Sequence, residues 1–272
     1  MASTFAESWA GPYQLGECLG RGTFASIYAA RDTRGRRAVV KLLRPNYASS
    51  RAMRIALVDE GQLLARLEHP RIRPCLHVDT EQPALVLRDV GGVALSEWQH
   101  RQGGALAEGV VRELALQLAE VLVHLHRHRT VHLDLTRRNL LVTPTRQLYV
   151  IDFGYGWWPE RRSRVHRRPN HANQAHVPPE MWWGARLGPW SDMYRLGVVV
   201  WELLTGRPAQ LAAPRASLGP GVAGGRWLAA LTPERGDLSA GMRELVAAAT
   251  HPDCRRRPTA EQALGLLQAA PR

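Results

Sequence analysis

Hydrophobic and polar positions divide the chain into a strand-rich beginning and a longer, helix-rich remainder. β-branched or alternating runs at residues 26–30 and 38–43 predict two strands with a polar turn between them. Residues 50–67 carry apolar positions at roughly helical spacing and predict a helix. Residues 84–87 predict a further strand, which ends at Gly91-Gly92, a pair typical of a hinge.

Helical patterns dominate the chain after this hinge. Residues 107–128 show the strongest periodicity, and the apolar positions that form one face of the predicted helix are Val111, Leu114, Leu118, Val121, Leu122 and Leu125. Further helices are predicted at 191–204, 240–249 and 259–269, and a strand is predicted at 148–151. Strands followed by helices are typical of the α+β class.

Composition narrows the class of protein. Hydrophobic residues make up 45% of the 272 positions, which is enough for a sizeable core. No apolar run approaches the roughly 20 residues that span a membrane, and the N-terminus lacks the pattern of a signal peptide. Cys18, Cys75 and Cys254 have no metal-ligand spacing, which predicts reduced thiols in a cytoplasmic protein.

The net charge of +12 is due mainly to arginine and is favoured as a compositional habit of the chain. An acidic partner is the alternative, whether nucleic acid, anionic membrane or acidic protein, although nothing else in the sequence supports the first two. The charge is concentrated in one basic segment, residues 161–171. Its cationic positions are Arg161, Arg162, Arg164, His166, Arg167, Arg168 and His171. The segment is either a solvated loop or a docking surface for an acidic or phosphorylated protein substrate.

A glycine-containing stretch precedes the predicted strand pair and is the first candidate for chemistry. It reads Leu19, Gly20, Arg21, Gly22, Thr23, Phe24, Ala25, Ser26 and Ile27. Small residues let backbone amides approach phosphate oxygens closely, because no side chain fills that space. Alone the stretch is a weak signal. It gains weight from Lys41, which follows at the end of the next predicted strand, and from Glu60 on the predicted helix, which could pair with the lysine.

A second group of polar residues follows the long periodic helix. Asp134 and Asn139 are five residues apart, so one loop could present a carboxylate to an attacking hydroxyl and an amide oxygen to a metal. Asp152 ends the predicted strand at 148–151, beside Phe153 and Gly154. A carboxylate beside a glycine at the end of a strand suits Mg²⁺. This ion prefers oxygen ligands, and the small neighbour leaves space for the phosphates and waters that it also binds.

In this order and spacing, the motifs resemble those of the eukaryotic-type protein kinase family, from about Tyr13 to about Leu267. The resemblance implies an α+β, two-lobed fold in a single kinase domain over residues 1–272. A small β-rich N-lobe with one regulatory helix would span about 12–90, and a mainly helical C-lobe about 91–270. ATP and Mg²⁺, with Mn²⁺ as an alternative metal, are the implied cofactors.

The resemblance also implies a role for each matching residue. The glycine stretch would bind phosphates, and adenine would lie between Ile27, Val39 and Leu141, hydrogen-bonded to backbone from Arg88 to Val90. Lys41, held by Glu60, would contact the α- and β-phosphates, Asn139 and Asp152 would bind the metal, and Asp134 would accept the hydroxyl proton. Pro178-Pro179-Glu180, the helix around Asp192 and Arg257 resemble the later landmarks of the family, with an ion pair between Glu180 and Arg257.

Three departures from the family pattern change these expectations. Leu133 replaces the arginine that pairs with a phosphorylated activation segment, and Tyr155 and Ser163 are the only hydroxyl side chains between Gly154 and Trp190. We therefore expect activity without phosphorylation of this segment. Thr136 stands where serine/threonine kinases carry lysine, and Arg138 stands where tyrosine kinases carry arginine. Arg138 could then supply the cation near the γ-phosphate.

A protein kinase, directed to serine or threonine, is the favoured function. The alternatives are a small-molecule kinase, an atypical kinase of the RIO class and a pseudokinase scaffold that binds ATP without transfer. The Pro-Glu motif and the helices after it favour a peptide acceptor, and RIO kinases lack those landmarks. The five polar residues that the family uses in phosphate binding, metal binding and catalysis are all present, which argues against the scaffold. They are Lys41, Glu60, Asp134, Asn139 and Asp152.

Overall fold

The computed structural model describes residues 9–10, 12–162, 176–182, 184–209 and 231–269. The chain divides into two compact units. The first unit comprises residues 1–91 and 160–166, and the second comprises residues 92–159 and 167–272.

In the described part of the first unit, the strands form one antiparallel sheet in the order β1-β2-β3-β4-β6-β5. The strands are β1 (Trp9–Ala10), β2 (Tyr13–Arg21), β3 (Ala25–Asp32), β4 (Arg37–Leu43), β5 (Cys75–Asp79) and β6 (Ala84–Arg88). Residues 38–41 of β4 and 84–87 of the neighbouring β6 are buried, and the register of the two strands pairs Lys41 with Leu85. The strand that carries the only buried lysine of this unit therefore lies inside the sheet rather than at an edge.

Two helices accompany this sheet, α1 (Pro45–Ala48) and α2 (Arg51–Arg66). Ser50 caps α2, because its hydroxyl accepts a hydrogen bond from the Met53 amide. The helix packs closely on β5 and β6, since a Cβ added at Gly61 would lie 2.5 Å from Val78 and 2.6 Å from Leu85. A glycine at this position thus lets the neighbouring Glu60 come close to the sheet.

The described part of the second unit is mainly helical and contains a small antiparallel sheet in the order β7-β8-β9. The strands are β7 (Val93–Ala94), β8 (Leu140–Val142) and β9 (Leu148–Val150). The helices are α3 (Leu95–Arg101), α4 (Glu108–Arg127), α5 (Pro179–Trp182), α6 (Pro189–Thr205), α7 (Ala240–Ala249) and α8 (Ala260–Ala269), with a 3₁₀ turn at Cys254–Arg256.

Helices α4 and α6 form the core of the second unit. All six apolar positions that the sequence assigned to one face of α4 are buried, and α4 packs against α6, α8 and β9. Helix α6 is buried along most of its length and packs against α7, where Gly197 faces Ala249 and Thr250 at close range. A Cβ at Gly197 would lie 2.7 Å from the Thr250 side chain, so the two helices need a glycine there.

The predicted α+β fold class, with a β-rich N-lobe and a helical C-lobe, is confirmed. The predicted helices and strands are present, with bounds that differ by a few residues. Strands β1, β2, β5, β7 and β8 and the short helices α1, α3 and α5 were not predicted. Most of these elements have too few periodic positions to stand out from a loop, and the pattern of β2 is interrupted by glycine and polar residues. That residues 1–272 form a single kinase domain stays a prediction. Within the described residues, no helix has both the length and the hydrophobicity to cross a membrane.

A buried ion pair connects α5 to the chain before α8. Both terminal nitrogens of Arg257 donate to the Glu180 carboxylate at 2.9 Å, and Arg257 Nε donates to the His251 carbonyl at 2.7 Å. The Ser191 hydroxyl also donates to Glu180, at 2.7 Å. Since the side chains of Arg257 and Glu180 are only 0% and 6% exposed, each charge depends on the other for compensation.

We expect Arg257→Ala to destabilise the second unit by about 3–5 kcal/mol, because Glu180 would be left as a buried, uncompensated charge. The melting temperature should fall markedly, which differential scanning fluorimetry would measure. Arg256→Ala is the matched control, since Arg256 is the exposed neighbour of Arg257 and should give a melting temperature close to that of the wild type. Equal melting temperatures for the two variants would contradict the assigned role of the pair.

Candidate active site

Lys41 and Glu60 form a buried ion pair in the first unit. The Lys41 ammonium lies 2.8 Å from both carboxylate oxygens of Glu60. The side chains are only 10% and 3% exposed, so the pair is not a surface contact. Strand β4 directs Lys41 toward α2, and the close packing at Gly61 brings Glu60 within reach.

Lys41 is the only lysine in the chain, and every other member of the 36 Lys and Arg residues is an arginine. A lysine ammonium is a compact point charge with rotatable donors, whereas a guanidinium is a planar fork that suits two parallel hydrogen bonds. The buried cation that pairs with Glu60 of α2 is therefore the chemically different side chain. A general preference for arginine does not explain this choice.

The glycine-containing stretch forms the turn between β2 and β3. The Gly22 amide donates to the Ala25 carbonyl at 2.8 Å, which closes the turn, and Arg44 donates to the carbonyls of Gly22 and Thr23 at 3.5 and 3.4 Å. Phe24 contacts Tyr47 of α1 edge-on, with ring centroids 5.0 Å apart. Among the residues that the structure describes, no atom lies within 4 Å of a Cβ placed at Gly20, so this side of the turn is open.

The residues predicted to surround adenine in the first unit lie on its central strands. Ile27 pairs with Lys41 across β3 and β4, and Val39 pairs with Leu87 across β4 and β6. The Arg88 carbonyl accepts a hydrogen bond from Arg73 at 3.0 Å, and burial lowers the pKa of Arg73 to about 10 against the opposing charge of Asp89. The backbone predicted to meet adenine is thus held at Arg88.

Asp192 of α6 fixes the predicted catalytic loop in the second unit. Its fully buried carboxylate accepts hydrogen bonds from the amides of His132 and Leu133, both at 2.8 Å, and lies 3.3 Å from the His126 ring. Leu133 has a positive φ of 59°, a conformation that is unfavourable for leucine. The two hydrogen bonds to Asp192 offset this strain and direct the following residue, Asp134.

Asp134 and Asn139 lie on one loop and contact each other. The Asn139 amide nitrogen donates to the Asp134 carboxylate and to the Asp134 carbonyl, both at 2.8 Å. This arrangement uses the amide nitrogen of Asn139, so its amide oxygen is the atom able to bind a cation. It also fixes one of the two Asp134 oxygens.

Asp152 lies after β9 and is connected to the same loop. It has a positive φ of 63°, and the ring of His132 lies 4.7 Å from that of Phe153 and 3.1 Å from the Ile151 carbonyl oxygen. Within the described residues, no three His, Cys, Asp or Glu side chains could hold a metal together. A cation bound by Asp152 and Asn139 would therefore need further oxygen ligands from phosphate and water, which is the usual situation for Mg²⁺.

The electrostatics of Asp134 suit a group that accepts a proton. Burial raises the pKa of Asp134, and the nearby charge of Asp152 raises it further. The charges of Arg195 and His132 and the hydrogen bond from Asn139 act in the opposite direction but do not cancel the rise. A carboxylate with a raised pKa is a better base than an ordinary aspartate.

Arg138 is exposed, whereas its neighbour Arg137 belongs to a buried network that sequence reasoning missed. Arg137 donates to Glu202 at 2.7 Å and to Gln99 at 2.6 Å, and His176 lies 3.1 Å from Glu202. Only the fold could show this network, because its members come from four separate parts of the chain. Arg138 is therefore the exposed arginine of this loop, and its contact with the γ-phosphate stays a prediction.

A second contact that the sequence did not indicate holds the start of the basic segment. Asp59 of α2 accepts hydrogen bonds from the backbone amide and from Nε of Arg162, both at 2.9 Å. Asp59 is 2% exposed, so this contact is shielded on one side. Arg164, His166, Arg167, Arg168 and His171 lie outside the described residues, as does Ser163, and docking by the segment stays a prediction.

The predicted residues thus form one group in each unit. The glycine stretch, Ile27, Val39, Lys41, Glu60, Arg88 and Val90 lie in the first unit, and Asp134, Arg138, Asn139, Leu141 and Asp152 lie in the second. Leu141 is buried on β8, next to the loop that carries Asp134 and Asn139. The roles assigned to these residues stay predictions.

Comparison with known proteins decides the family. The family described as "Protein kinase domain" matches residues 13–266. The chain belongs to the protein kinase family. The match covers both units of this kinase domain, from β2 to α8.

The curated relatives of this kinase domain include bacterial enzymes. A probable serine/threonine-protein kinase of Streptomyces coelicolor is 31% identical over 207 residues, which cover 73% of the chain and 31% of the relative. Serine/threonine-protein kinase PknD of Mycobacterium tuberculosis is 31% identical over 202 residues, with coverage of 73% and 30%. PrkC of Bacillus subtilis is 28% identical over 200 residues, with coverage of 72% and 31%. The matched part of the kinase domain spans about a third of the length of these relatives.

We expect Asp192→Asn to destabilise the kinase domain by about 3 kcal/mol at pH 7, since an amide would turn a donor toward one of the two loop amides. Burial by itself would raise the pKa of Asp192. The hydrogen bond and charge of His126, together with the charge and amide of His132, outweigh burial and hold this pKa below its ordinary value of 3.8. The stabilisation by Asp192 is therefore present above about pH 4 and is lost as the pH falls through the lower, folded pKa. Urea unfolding of both proteins at pH 7 and near pH 3 would measure the difference.

Glu97→Gln is the control, because Glu97 forms an exposed pair with Arg101 and should have little effect at either pH. A penalty for Asp192→Asn that stays constant from pH 7 to pH 3 would contradict the ionised state assigned to Asp192.

Proposed function

We propose that the chain is a protein kinase that transfers the γ-phosphate of ATP, with Mg²⁺, to a serine or threonine hydroxyl of a protein. The observation that carries the proposal is the buried pair of Lys41, the only lysine, with Glu60, at 2.8 Å. A fixed ammonium group on the strand that follows a glycine turn is suited to neutralising phosphate charge. The names of the bacterial relatives support a serine or threonine acceptor.

The residues of the first unit fit a nucleotide. The turn at Gly20 and Gly22 offers backbone amides and open space for phosphates, and Ile27 and Val39 offer apolar contacts for adenine. Adenine would form hydrogen bonds with backbone groups between Arg88 and Val90. Glu60 would keep Lys41 oriented toward the α- and β-phosphates.

The donor set of the second unit fits a hard divalent cation. Asp152 and Asn139 would bind Mg²⁺ or Mn²⁺ through a carboxylate and an amide oxygen, with phosphate and water completing the ligands. The cation would supply positive charge to the transferring phosphoryl group. Asp134 would orient the acceptor hydroxyl and accept its proton, for which its raised pKa is suited.

A protein acceptor is supported by the second unit. Glu180 and Arg257 fix α5 against α6 and the chain before α8, so the segment that leads to α5 ends at a rigid support. Such a support is needed to hold an extended peptide but not to hold a small molecule. A small-molecule acceptor remains the second candidate and would be revealed by transfer to sugars or amino alcohols in place of peptides.

The chain would be active without phosphorylation of its activation segment. The side chain of Leu133 cannot donate hydrogen bonds to a phosphate, and Arg162 binds Asp59 through two hydrogen bonds. In the second unit, Val131 and Trp157 exchange backbone hydrogen bonds at 2.9 and 2.8 Å and hold the first part of the same segment. These contacts order the described part of the segment without a phosphate.

We expect Lys41→Met to lower kcat at least about 100-fold and Asp152→Ala to abolish metal-dependent transfer, because each removes charge stabilisation of the phosphoryl group. Initial rates with labelled ATP and serine-, threonine- and tyrosine-containing peptides would measure both effects. A cooperative melting transition would show that the variants are folded, and Lys41→Met should melt below the wild type because Glu60 is left as a buried charge. Unchanged turnover in either variant would contradict the proposed function.

A second readout uses the single lysine and does not require turnover. An adenosine analogue with a sulfonyl fluoride at the 5′ position should add once to the wild type, at Lys41, and excess ATP should protect. Lys41→Arg, which contains no lysine side chain, is the matched control and should show no side-chain adduct by peptide mass mapping. Modification that ATP does not prevent would contradict nucleotide binding at Lys41.

We expect phosphatase treatment to leave the rate within a few-fold, and the same for Ser163→Ala and Tyr155→Phe. Asp59→Asn should instead lower kcat about tenfold, since the loss of about 1.4 kcal/mol from segment ordering changes an equilibrium tenfold. Intact mass would establish that no phosphate remains before rates are measured.

Arg66→Ala is the control for Asp59→Asn. Arg66 connects α2 to Glu160 at 3.9 Å, but both side chains are more than 60% exposed, so little effect is expected. A rate that collapses on dephosphorylation and returns on rephosphorylation would contradict the role assigned to Leu133 and Asp59.

A further inference from the structure

Arg195 is a buried arginine in the middle of α6, the most buried helix of the second unit. Its side chain is 6% exposed, and the helix positions on both sides of it, Tyr194 and Leu196, are buried as well. The charged and titratable groups that act on Arg195 are Asp134, Asp192, Tyr194 and Glu180. Among the described residues, only Asp134 has a carboxylate within ion-pair distance, with Nη1 of Arg195 3.5 Å from Oδ1 of Asp134.

The packing of α6 does not require a charge at this position. Burial lowers the pKa of Arg195, and the charge of Asp134 is the largest effect that opposes this fall. The Nε atom of Arg195 is buried without a hydrogen-bond partner within the described part of the chain. An incompletely paired guanidinium is unfavourable in a core, where an apolar side chain of similar length would pack without this penalty.

The contacts of Asp134 indicate what this charge does. Oδ2 of Asp134 accepts a hydrogen bond from Asn139 at 2.8 Å, whereas Oδ1 faces Arg195. Neither arginine of the loop itself pairs with Oδ1 of Asp134 among the described contacts. Arg137 binds Glu202 and Gln99, and Arg138 is exposed. The two oxygens of one carboxylate are thus held from two different elements, Asn139 on the loop and Arg195 on α6.

We propose that Arg195 is a positioning residue for phosphoryl transfer, which fixes Oδ1 of Asp134 while Asn139 fixes Oδ2. The proposal rests on the function proposed above, in which Asp134 accepts the proton of the acceptor hydroxyl. With both oxygens held, the carboxylate has one orientation relative to the acceptor. Loss of Arg195 leaves Oδ1 free to rotate about the Asn139 contact, and misplacement by about 1 Å is enough to lower a rate by roughly 100-fold.

The distance also predicts which substitution keeps the function. Direct hydrogen bonds between nitrogen and oxygen have lengths of about 2.7–3.2 Å, so a separation of 3.5 Å indicates a charge contact rather than a bidentate clamp. A lysine ammonium can replace such a contact in part, whereas a neutral side chain of the same length cannot. A purely structural role, in which Arg195 balances Asp192 and Glu180, would affect unfolding and leave kcat unchanged.

The test compares Arg195→Met and Arg195→Lys in steady-state phosphotransfer. Arg195→Met should lower kcat by about 10- to 100-fold, with the KM for ATP within about twofold of the wild type, because no ATP contact is assigned to Arg195. Arg195→Lys should recover kcat to within about fivefold of the wild type. Arg112→Met is the matched control, since Arg112 is a mostly buried arginine of α4 that binds Glu108, and it should leave kcat unchanged.

A double-mutant cycle provides a readout that does not depend on turnover. The urea midpoints of Asp134→Asn, Arg195→Met or Arg195→Lys, and the double variants should be non-additive, because each pair shares one contact. Additive midpoints, or an unchanged kcat in Arg195→Met, would overturn the role of Arg195. A wild-type chain that transfers no phosphate to any acceptor would contradict the proposed function, while the cycle would still decide whether Arg195 and Asp134 interact.

Discussion

The carboxylate of Asp192 is the contact on which the second unit depends. Buried in α6, it accepts the amides of His132 and Leu133 and thereby stabilises a leucine with positive φ. That backbone conformation directs Asp134, which in turn contacts Asn139, and His132 carries the connection to Ile151 and Phe153 beside Asp152. The same helix contributes Arg195 to Asp134 and Glu202 to Arg137. A helix with few polar side chains thus holds the loop at three separate charged positions.

In the first unit, the important feature is which cationic side chain, arginine or lysine, occupies each position. Arginine serves at the surface and at shielded contacts such as Arg162 with Asp59 and Arg73 with the Arg88 carbonyl, where a planar fork can donate in several directions. Lysine occurs once, where a compact charge lies between two carboxylate oxygens of Glu60. Close packing at Gly61 makes that contact possible, because a larger residue would push α2 away from β5 and β6. Charge chemistry and helix packing are therefore coupled in this unit.

Much of the candidate site was accessible from the sequence, since its elements are long or its spacing is distinctive. The periodicity of α4 predicted the helix before the loop, and the five-residue separation of Asp134 and Asn139 placed both residues on one loop. That they contact each other was shown by the structure. The pair of Glu180 and Arg257, 77 positions apart, was predicted only through resemblance to the kinase family. No property of either residue alone indicates the pairing, because arginine and glutamate are frequent throughout the chain. The predicted roles in binding ATP and metal stay predictions.

The sequence by itself determined the fold class, the long helices, four of the strands and the identity of the polar residues that the kinase family uses, because periodicity and motif spacing are local properties of the chain. Only the tertiary structure decided which of the many arginines pair with carboxylates of the helices and of the predicted catalytic loop. Arg162, Arg195 and Arg137 are unremarkable in a chain rich in arginine, and their partners Asp59, Asp134 and Glu202 are 103, 61 and 65 positions away. Such contacts depend on how helices pack and on which charges packing removes from water, and neither is encoded in a local pattern.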